Sequence, residues 1–214
     1  MKIISVNVGM PREVVWKGNM VQTAIFKQPI SGIVPIQKLN LAGDQQADLT
    51  VHGGSDKAVY AYPSEHYEYW RKQLVDAPLS WGAFGENLTT AGLMEDKVRI
   101  GDVLRIGSAV LQVTQPRMPC YKLQLRFNRD DMIKRFLASG RSGIYFSVME
   151  PGDVEARSSV EVLDRDPGNV TVRDILRIYF GQARDPELIR RAMNVTSLPE
   201  DWKAQLLLRD QKRV

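Results

Sequence analysis

The chain has 214 residues, 43% of them hydrophobic and 25% charged, with 29 Lys+Arg against 25 Asp+Glu and one cysteine. That profile fits a folded protein of one or two domains and excludes disorder, collagen-like structure and a disulfide-stapled scaffold. A single cysteine and two histidines also exclude a thiolate-rich zinc site, a cysteine-ligated iron–sulfur cluster, a three-histidine zinc site and an HExxH motif.

No apolar run approaches the roughly 20 residues of a bilayer span. The opening MKIISVNVGMPREVVW meets Pro11 and charges before a signal-like core develops. The sequence therefore predicts a cytoplasmic protein without membrane contact. The basic excess is slight and concentrated after residue 164, where 10 Lys+Arg face 7 Asp+Glu. Without a basic face interleaved with aromatics, no nucleic-acid partner is expected.

Taken in chain order, strands come first. Lys2–Val8 alternates Ile4, Val6 and Val8 on one side, and residues 24–29 read as a second short strand ended by Pro29. A helix over 64–74 sets Tyr67, Trp70 and Leu74 on one stripe, which reads as core, with His66 as a structural histidine within it. Residues 98–113 carry hairpin punctuation at Gly101-Asp102 and Gly107-Ser108. A second helix over 130–139 aligns Ile133, Phe136 and Leu137 and stops at Gly140. Residues 143–149 form a strand, and Glu150-Pro151-Gly152-Asp153 reads as a type II turn.

So many short strands predict a barrel or folded sheet, giving a mainly β protein with helices, an α+β chain. Near residue 165 the pattern changes. Asp166-Pro167-Gly168-Asn169 reads as a linker turn, and three helix starts follow: Thr171 with Asp174, Asp185-Pro186, and Ser197 with Glu200. A β domain over 1–165 and a three-helix domain over 166–214 are expected. The three helices are too short to stand alone and must pack together or on a partner; a two-fold homodimer is the default symmetric assembly.

Reactive residues concentrate in three stretches. In the first, His52 precedes Gly53-Gly54, Asp56 and Lys57. Paired glycines let backbone N–H groups approach a ligand and a lysine meets phosphate, although a tight turn with a surface lysine gives the same spacing. In the second, Glu86 and Asn87 within GAFGENL suit the donor and acceptor edges of a heterocycle, or a loop capped by its own asparagine. In the third, Cys120 closes LQVTQPRMPC, where Pro116 and Pro119 stiffen the end of a strand. A thiolate there is a soft ligand for a heavy transition metal, and Arg117 would lower its pKa if the two side chains converge. Simple burial is the alternative.

These stretches resemble the MOSC family, named for the C-terminal domain of molybdenum cofactor sulfurase, and within it the YiiM-type members. The resemblance rests on GDQQADLTVHGGSDKAVYAYP (Gly43 to Pro63), GAFGENL (Gly82 to Leu88), IGDVLRIG before a strand, QPRMPC ending at Cys120, and the three-helix tail. It implies a MOSC-type β-barrel that binds molybdenum cofactor, Mo-molybdopterin, with Cys120 as the metal ligand and catalytic residue. It also implies reduction of N-hydroxylated compounds, such as 6-N-hydroxylaminopurine, to amines. On chemical type, His52, Lys57 and Arg117 are expected to hold the pterin and its phosphate, Glu86 and Asn87 to read the heterocycle, and Asp44 and Asp48 to orient the cations. With no ferredoxin-like cysteines, electrons are expected from a separate reductase, a flavoprotein. No pyridoxal-phosphate lysine motif is present, so no sulfur transfer is expected. A non-catalytic carrier of the cofactor remains the alternative.

Overall fold

The computed structural model describes residues 1–47 and 53–211. Its centre is an eight-stranded sheet built from β1 (Lys2–Val8), β4 (Gln28–Ile30), β6 (Val59–Pro63), β7 (Leu88–Ala91), β8 (Val103–Ile106), β9 (Ala109–Pro116), β10 (Ile144–Glu150) and β12 (Val160–Asp164). The spatial order is β12-β8-β9-β10-β6-β7-β1-β4, antiparallel except for β6 beside β7. The sheet curls until its ends touch. Lys2 bridges Ser159, and Ile3 N, Arg157 N and Val160 N donate to Ser158 O, Ile3 O and Met1 O. No continuous ladder closes the ring among the described residues. Two ribbons flank the sheet: β2 (Arg12–Trp16) with β3 (Asn19–Thr23), and β5 (Val34–Ile36) with β11 (Gly152–Val154).

Several sequence expectations shift in phase or place. In β1 a register irregularity between Ile3 and Ser5 turns Ile3 and Val6 fully inward and leaves Ile4 and Val8 half-buried. One extra residue on a strand moves all that follow to the other face. The strand expected over 24–29 is confined to Gln28–Ile30. Residues 24–27 instead lie against the GAFGENL loop, where a Cβ on Gly82 would stand 3.0 Å from Lys27 O and one on Gly85 3.0 Å from Ile25. The β2–β3 hairpin was not foreseen; it turns on Lys17 (φ 51°) and Gly18 (φ 81°), the left-handed pair of a type I′ turn. Gly152 is not the left-handed corner of a type II turn. It begins β11, where a Cβ would meet Ala109 N at 2.5 Å.

The helices α1 (Glu65–Gln73) and α3 (Met132–Ser139) form where the apolar stripes predict, with Tyr67, Trp70, Leu74 and Phe136 buried and Gly140 left-handed at the end of α3. Ile133 and Leu137 are only half-buried, and Met132 takes the inner position. The tail folds as α4 (Val172–Tyr179), α5 (Pro186–Asn194) and α6 (Glu200–Gln211). Thr171 and Asp174 make the reciprocal capping box, and Asp185 caps Glu187 N ahead of Pro186. Ser197 lies in the turn before α6, which starts at Glu200, so this third cap is not formed as expected. The apolar faces of the tail join the core of the sheet: Ile175, Ala192, Trp202 and Leu206 belong to one cluster with Ile3, Leu111 and Ile144. The helices therefore need no second copy to bury those faces. No helix among the described residues is long and apolar enough to cross a membrane.

His66 is structural, as its place within the helix implied. Its Nε2 lies 2.8 and 3.0 Å from the oxygens of Glu95, and Gly143 N donates to the same carboxylate at 2.7 Å. Burial pushes Glu95 up, but the hydrogen bond and charge of His66 and the Gly143 donor outweigh it, leaving the pKa below the ordinary value. A folded-state pKa below the unfolded value of about 4.3 stabilises the fold at neutral pH and loses that contribution as the pH falls through the folded value. Glu95→Gln is accordingly expected to cost about 2 kcal/mol at pH 7 and progressively less toward pH 3. Urea titrations across that range check it; a penalty that does not vary with pH would contradict the assignment.

Candidate functional site

Cys120 reaches its position by a break in β9. The last ladder partner is Pro116, opposite Ile144, and Arg117-Met118-Pro119 leave the sheet before Cys120 starts α2 (Tyr121–Phe127). The strand thus ends at Pro116, three residues before the expected Pro119, at a residue whose ring leaves no N–H to carry the ladder on. Cys120 is the N-cap residue of α2 in extended conformation (φ −123°, ψ 176°), its carbonyl accepting from Leu123 N at 2.9 Å. It is half-buried and electrostatically coupled to Arg117 and Tyr145.

The thiol stands on the wall of a solvent-open cavity shared with Arg117, Lys57, Lys122, Tyr60 and Tyr145. Arg117 is 7% exposed. Its Nη1 donates to Phe84 O and lies 3.5 Å from the Tyr60 hydroxyl, and the guanidinium sits 4.8 Å from the Tyr60 ring centre. Burial opposes this charge, but Tyr60, Tyr145 and Cys120 outweigh burial and hold the pKa above the ordinary arginine value. Among the described residues no carboxylate pairs with Arg117, Lys57 or Lys122, and the buried Lys122 faces the cavity. A buried cation without a counter-charge is costly unless an anion completes it. Burial also raises Tyr60 and Tyr145 above the ordinary phenol range, so both keep their protons at neutral pH.

The remaining sequence-predicted residues divide. Lys57 ends a 3-10 turn, Ser55–Lys57, entered through the left-handed Gly54. Asn87 lines the cavity, but its amide is committed: Nδ2 donates to Asp44 Oδ2 at 2.8 Å and Oδ1 accepts from Tyr60 N at 3.1 Å. Asp44 also accepts from Gly9 N at 2.8 Å and pairs with Lys27, so it orients Lys27 rather than Lys57 or Arg117. Burial lowers the Lys27 pKa despite that partner. Glu86 does not line the cavity. Its fully buried carboxylate accepts from Gly82 N, Phe84 N, Thr89 Oγ1 and Tyr67 Oη, which corrects the expectation that it reads a heterocycle. Its work is to fix the loop whose Phe84 carbonyl receives Arg117. His52 and Asp48 lie outside the described residues.

Lys27, Lys122, Tyr60 and Tyr145 were missed in the sequence. Lys122 left one signal, a cation among the apolar residues of YKLQLRF directly after Cys120. Tyr60 and Tyr145 are ladder partners on β6 and β10, a pairing that neither segment reveals alone.

A second, solvent-open cleft meets the same thiol. It shares Cys120, Lys57 and Tyr145 with the first, and α6 contributes Asp201, Trp202 and Gln205 to its wall.

Comparison with known proteins decides the lineage. The MOSC domain matches residues 48–161, more than half of the chain, and the YiiM-like, 3-alpha helix domain matches residues 170–209. The chain belongs to the MOSC family. YflK of Bacillus subtilis is 41% identical over 205 residues, covering 96% of this chain and 92% of that protein. The crystal structure of YiiM from Geobacillus stearothermophilus superposes with a TM-score of 0.79 at 33% identity, covering 97% of this chain and 98% of that one. A protein named Reductase from Gibberella moniliformis is 34% identical over 164 residues, 75% of this chain and 29% of that longer protein. MOSC membership associates the chain with molybdenum cofactor, the group behind the family's name.

The donor set fits such a group. Among the described residues no cluster of three His, Cys, Asp or Glu side chains could cage a bare ion, so a metal bound at Cys120 must bring most of its ligands with it. A pterin dithiolene does this, and its phosphate and sulfurs carry the negative charge that Arg117, Lys57 and Lys122 lack.

Proposed function

We propose that this chain is a molybdenum-cofactor enzyme that reduces N-hydroxylated compounds to amines. The observation that carries the reading is a thiol at the mouth of a cavity whose three neighbouring cations have no described carboxylate partner. Cys120 would hold the metal. Arg117, Lys57 and Lys122 would receive the phosphate and sulfurs of the pterin, while Asn87, Asp44 and Lys27 brace the wall and His52, from its place in the HGG motif, joins the contacts. Glu86 would act through Phe84 O on Arg117.

When bound, the cofactor supplies two-electron chemistry that no side chain here provides. Over the whole reaction an N–O bond breaks, two electrons and two protons are taken up, and an amine and water leave. The electrons would come from an external reductase of the flavoprotein class. Tyr145 and Lys57, on the edge between the two clefts, carry donor protons beside the thiol. That second opening on Cys120 favours an enzyme over a carrier, since a carrier needs no route for a second molecule.

The test is purification with cofactor, molybdenum and pterin analysis, and assay of 6-N-hydroxylaminopurine reduction with an artificial electron donor. Stoichiometric molybdenum with no turnover would leave the carrier reading in its place. Lys57→Met and Lys122→Met are each expected to weaken cofactor retention about tenfold, as loss of a charge-assisted contact does. Thermal melts should stay near those of the parent. Unchanged molybdenum content in both variants would remove these lysines from the site.

A further inference from the structure

We infer that the helical tail sets the position of Lys57 in the first cavity, with Trp202 and Gln115 as positioning residues; that Lys57 meets the cofactor there rests on the reading above. The turn that carries Lys57 has little of its own to hold it. None of its three residues, Ser55–Lys57, is buried, and its entry at Gly54 has no side-chain cap. Asp56, next to Lys57, is tied to β9 through its carbonyl oxygen, which accepts from Thr114 Oγ1 at 2.7 Å and from Gln115 Nε2 at 3.3 Å. Consecutive side chains on a regular strand point to opposite faces. These two reach one oxygen because the β9–β10 register shifts: Tyr145 pairs with Gln115 and Phe146 with Val113, leaving Thr114 as the extra residue of a bulge.

Gln115 has a choice that Thr114 lacks, since a half-turn of its amide exchanges donor for acceptor. Trp202 makes that choice. An indole N–H can only donate, and Trp202 Nε1 lies 2.5 Å from Gln115 Oε1, which leaves Nε2 facing the Asp56 carbonyl. Gln115 and Trp202 are 2% and 3% exposed, so the pair is shielded from solvent. The indole is held within the tail, edge-on to the ring of Tyr179 on α4 at 5.6 Å. The seating of α6 on β9 is thereby read out as one amide orientation, and that orientation ties down the turn carrying Lys57. Phenylalanine at position 202 would keep a ring in place but free the amide to turn its oxygen against Asp56 O.

The experiment combines amide hydrogen exchange of the cofactor-free protein with molybdenum analysis of protein purified with cofactor. In Trp202→Phe and in Gln115→Met, exchange across residues 54–58 should be about tenfold faster than in wild type, and molybdenum retention about threefold weaker. Leu206→Val alters a buried side chain of the same helix without touching the indole, and should change neither. The double variant Lys57→Met with Trp202→Phe should retain molybdenum as Lys57→Met alone does, because a residue that acts through Lys57 then has nothing to act on. Unchanged exchange in Trp202→Phe, losses that multiply in the double variant, or equal effects from Leu206→Val overturn the inference. A wild type that holds no molybdenum, with faster exchange in Trp202→Phe, refutes the cofactor reading and supports the link from tail to turn.

Discussion

Cys120→Ser should fold like the parent and lose its molybdenum. The fold is protected by the position: Cys120 is an N-cap whose sulfur makes no capping bond, and serine is a preferred residue there. The melting temperature should therefore stay or rise slightly. The site has no such protection, because a neutral hydroxyl replaces a soft anionic ligand. Outer partners of metal ligands are already worth about 10–100-fold in affinity, so loss of the ligand itself should exceed ~100-fold and abolish turnover. Metal analysis on protein purified in parallel, with thermal melts as the fold control, reads both halves. Molybdenum held by Cys120→Ser at parental stoichiometry would show that another group binds the metal, and Cys120→Ala would then be expected to retain it too.

Gly143→Ala should be strongly destabilising. Gly143 has φ +69°, and a Cβ there would stand 2.6 Å from Ala61 O and 2.7 Å from both the ring edge and the hydroxyl of Tyr60. Ala61 cannot retreat, because it pairs with Ile144 across the β6–β10 ladder. Tyr60 cannot swing away without breaking its bond to Ser142 O at 2.8 Å and uncovering Arg117. Left-handed backbone and overpacking together should cost about 3 kcal/mol, read as a lower urea midpoint. Cofactor retention should fall with it, since the Arg117 platform shifts. A variant that unfolds with the parent would mean that Tyr60 is not held against this glycine.

Much of the chemistry was legible in one dimension, and some was legible on the wrong residue. Glu86 and Asn87 are neighbours with the same attraction to a heterocycle, yet only Asn87 lines the cavity, and its amide is spent on Asp44 and Tyr60. Glu86 turns inward to four donors of its own neighbourhood. Spacing records which polar groups a loop owns. It does not record whether they face the ligand or the backbone, because that depends on how residues 24–27 press against the loop. The misplaced strand over those residues has the same origin: their backbone is spent on a close approach to Gly82 and Gly85 that no local pattern announces.

By itself the sequence determined the family through its long motifs, the helices through their apolar stripes and two of the tail caps, and the thiol as the residue on which a metal hypothesis must stand. These are properties of residue type and near-neighbour spacing, which the chain carries wherever it goes. Only the tertiary structure decided that Lys122 and Tyr145 line one cavity with Cys120, that Glu86 fixes the loop whose Phe84 carbonyl receives Arg117, and that α6 walls a second cleft. Each of those facts is a long-range contact, set by which faces of distant segments can be buried together.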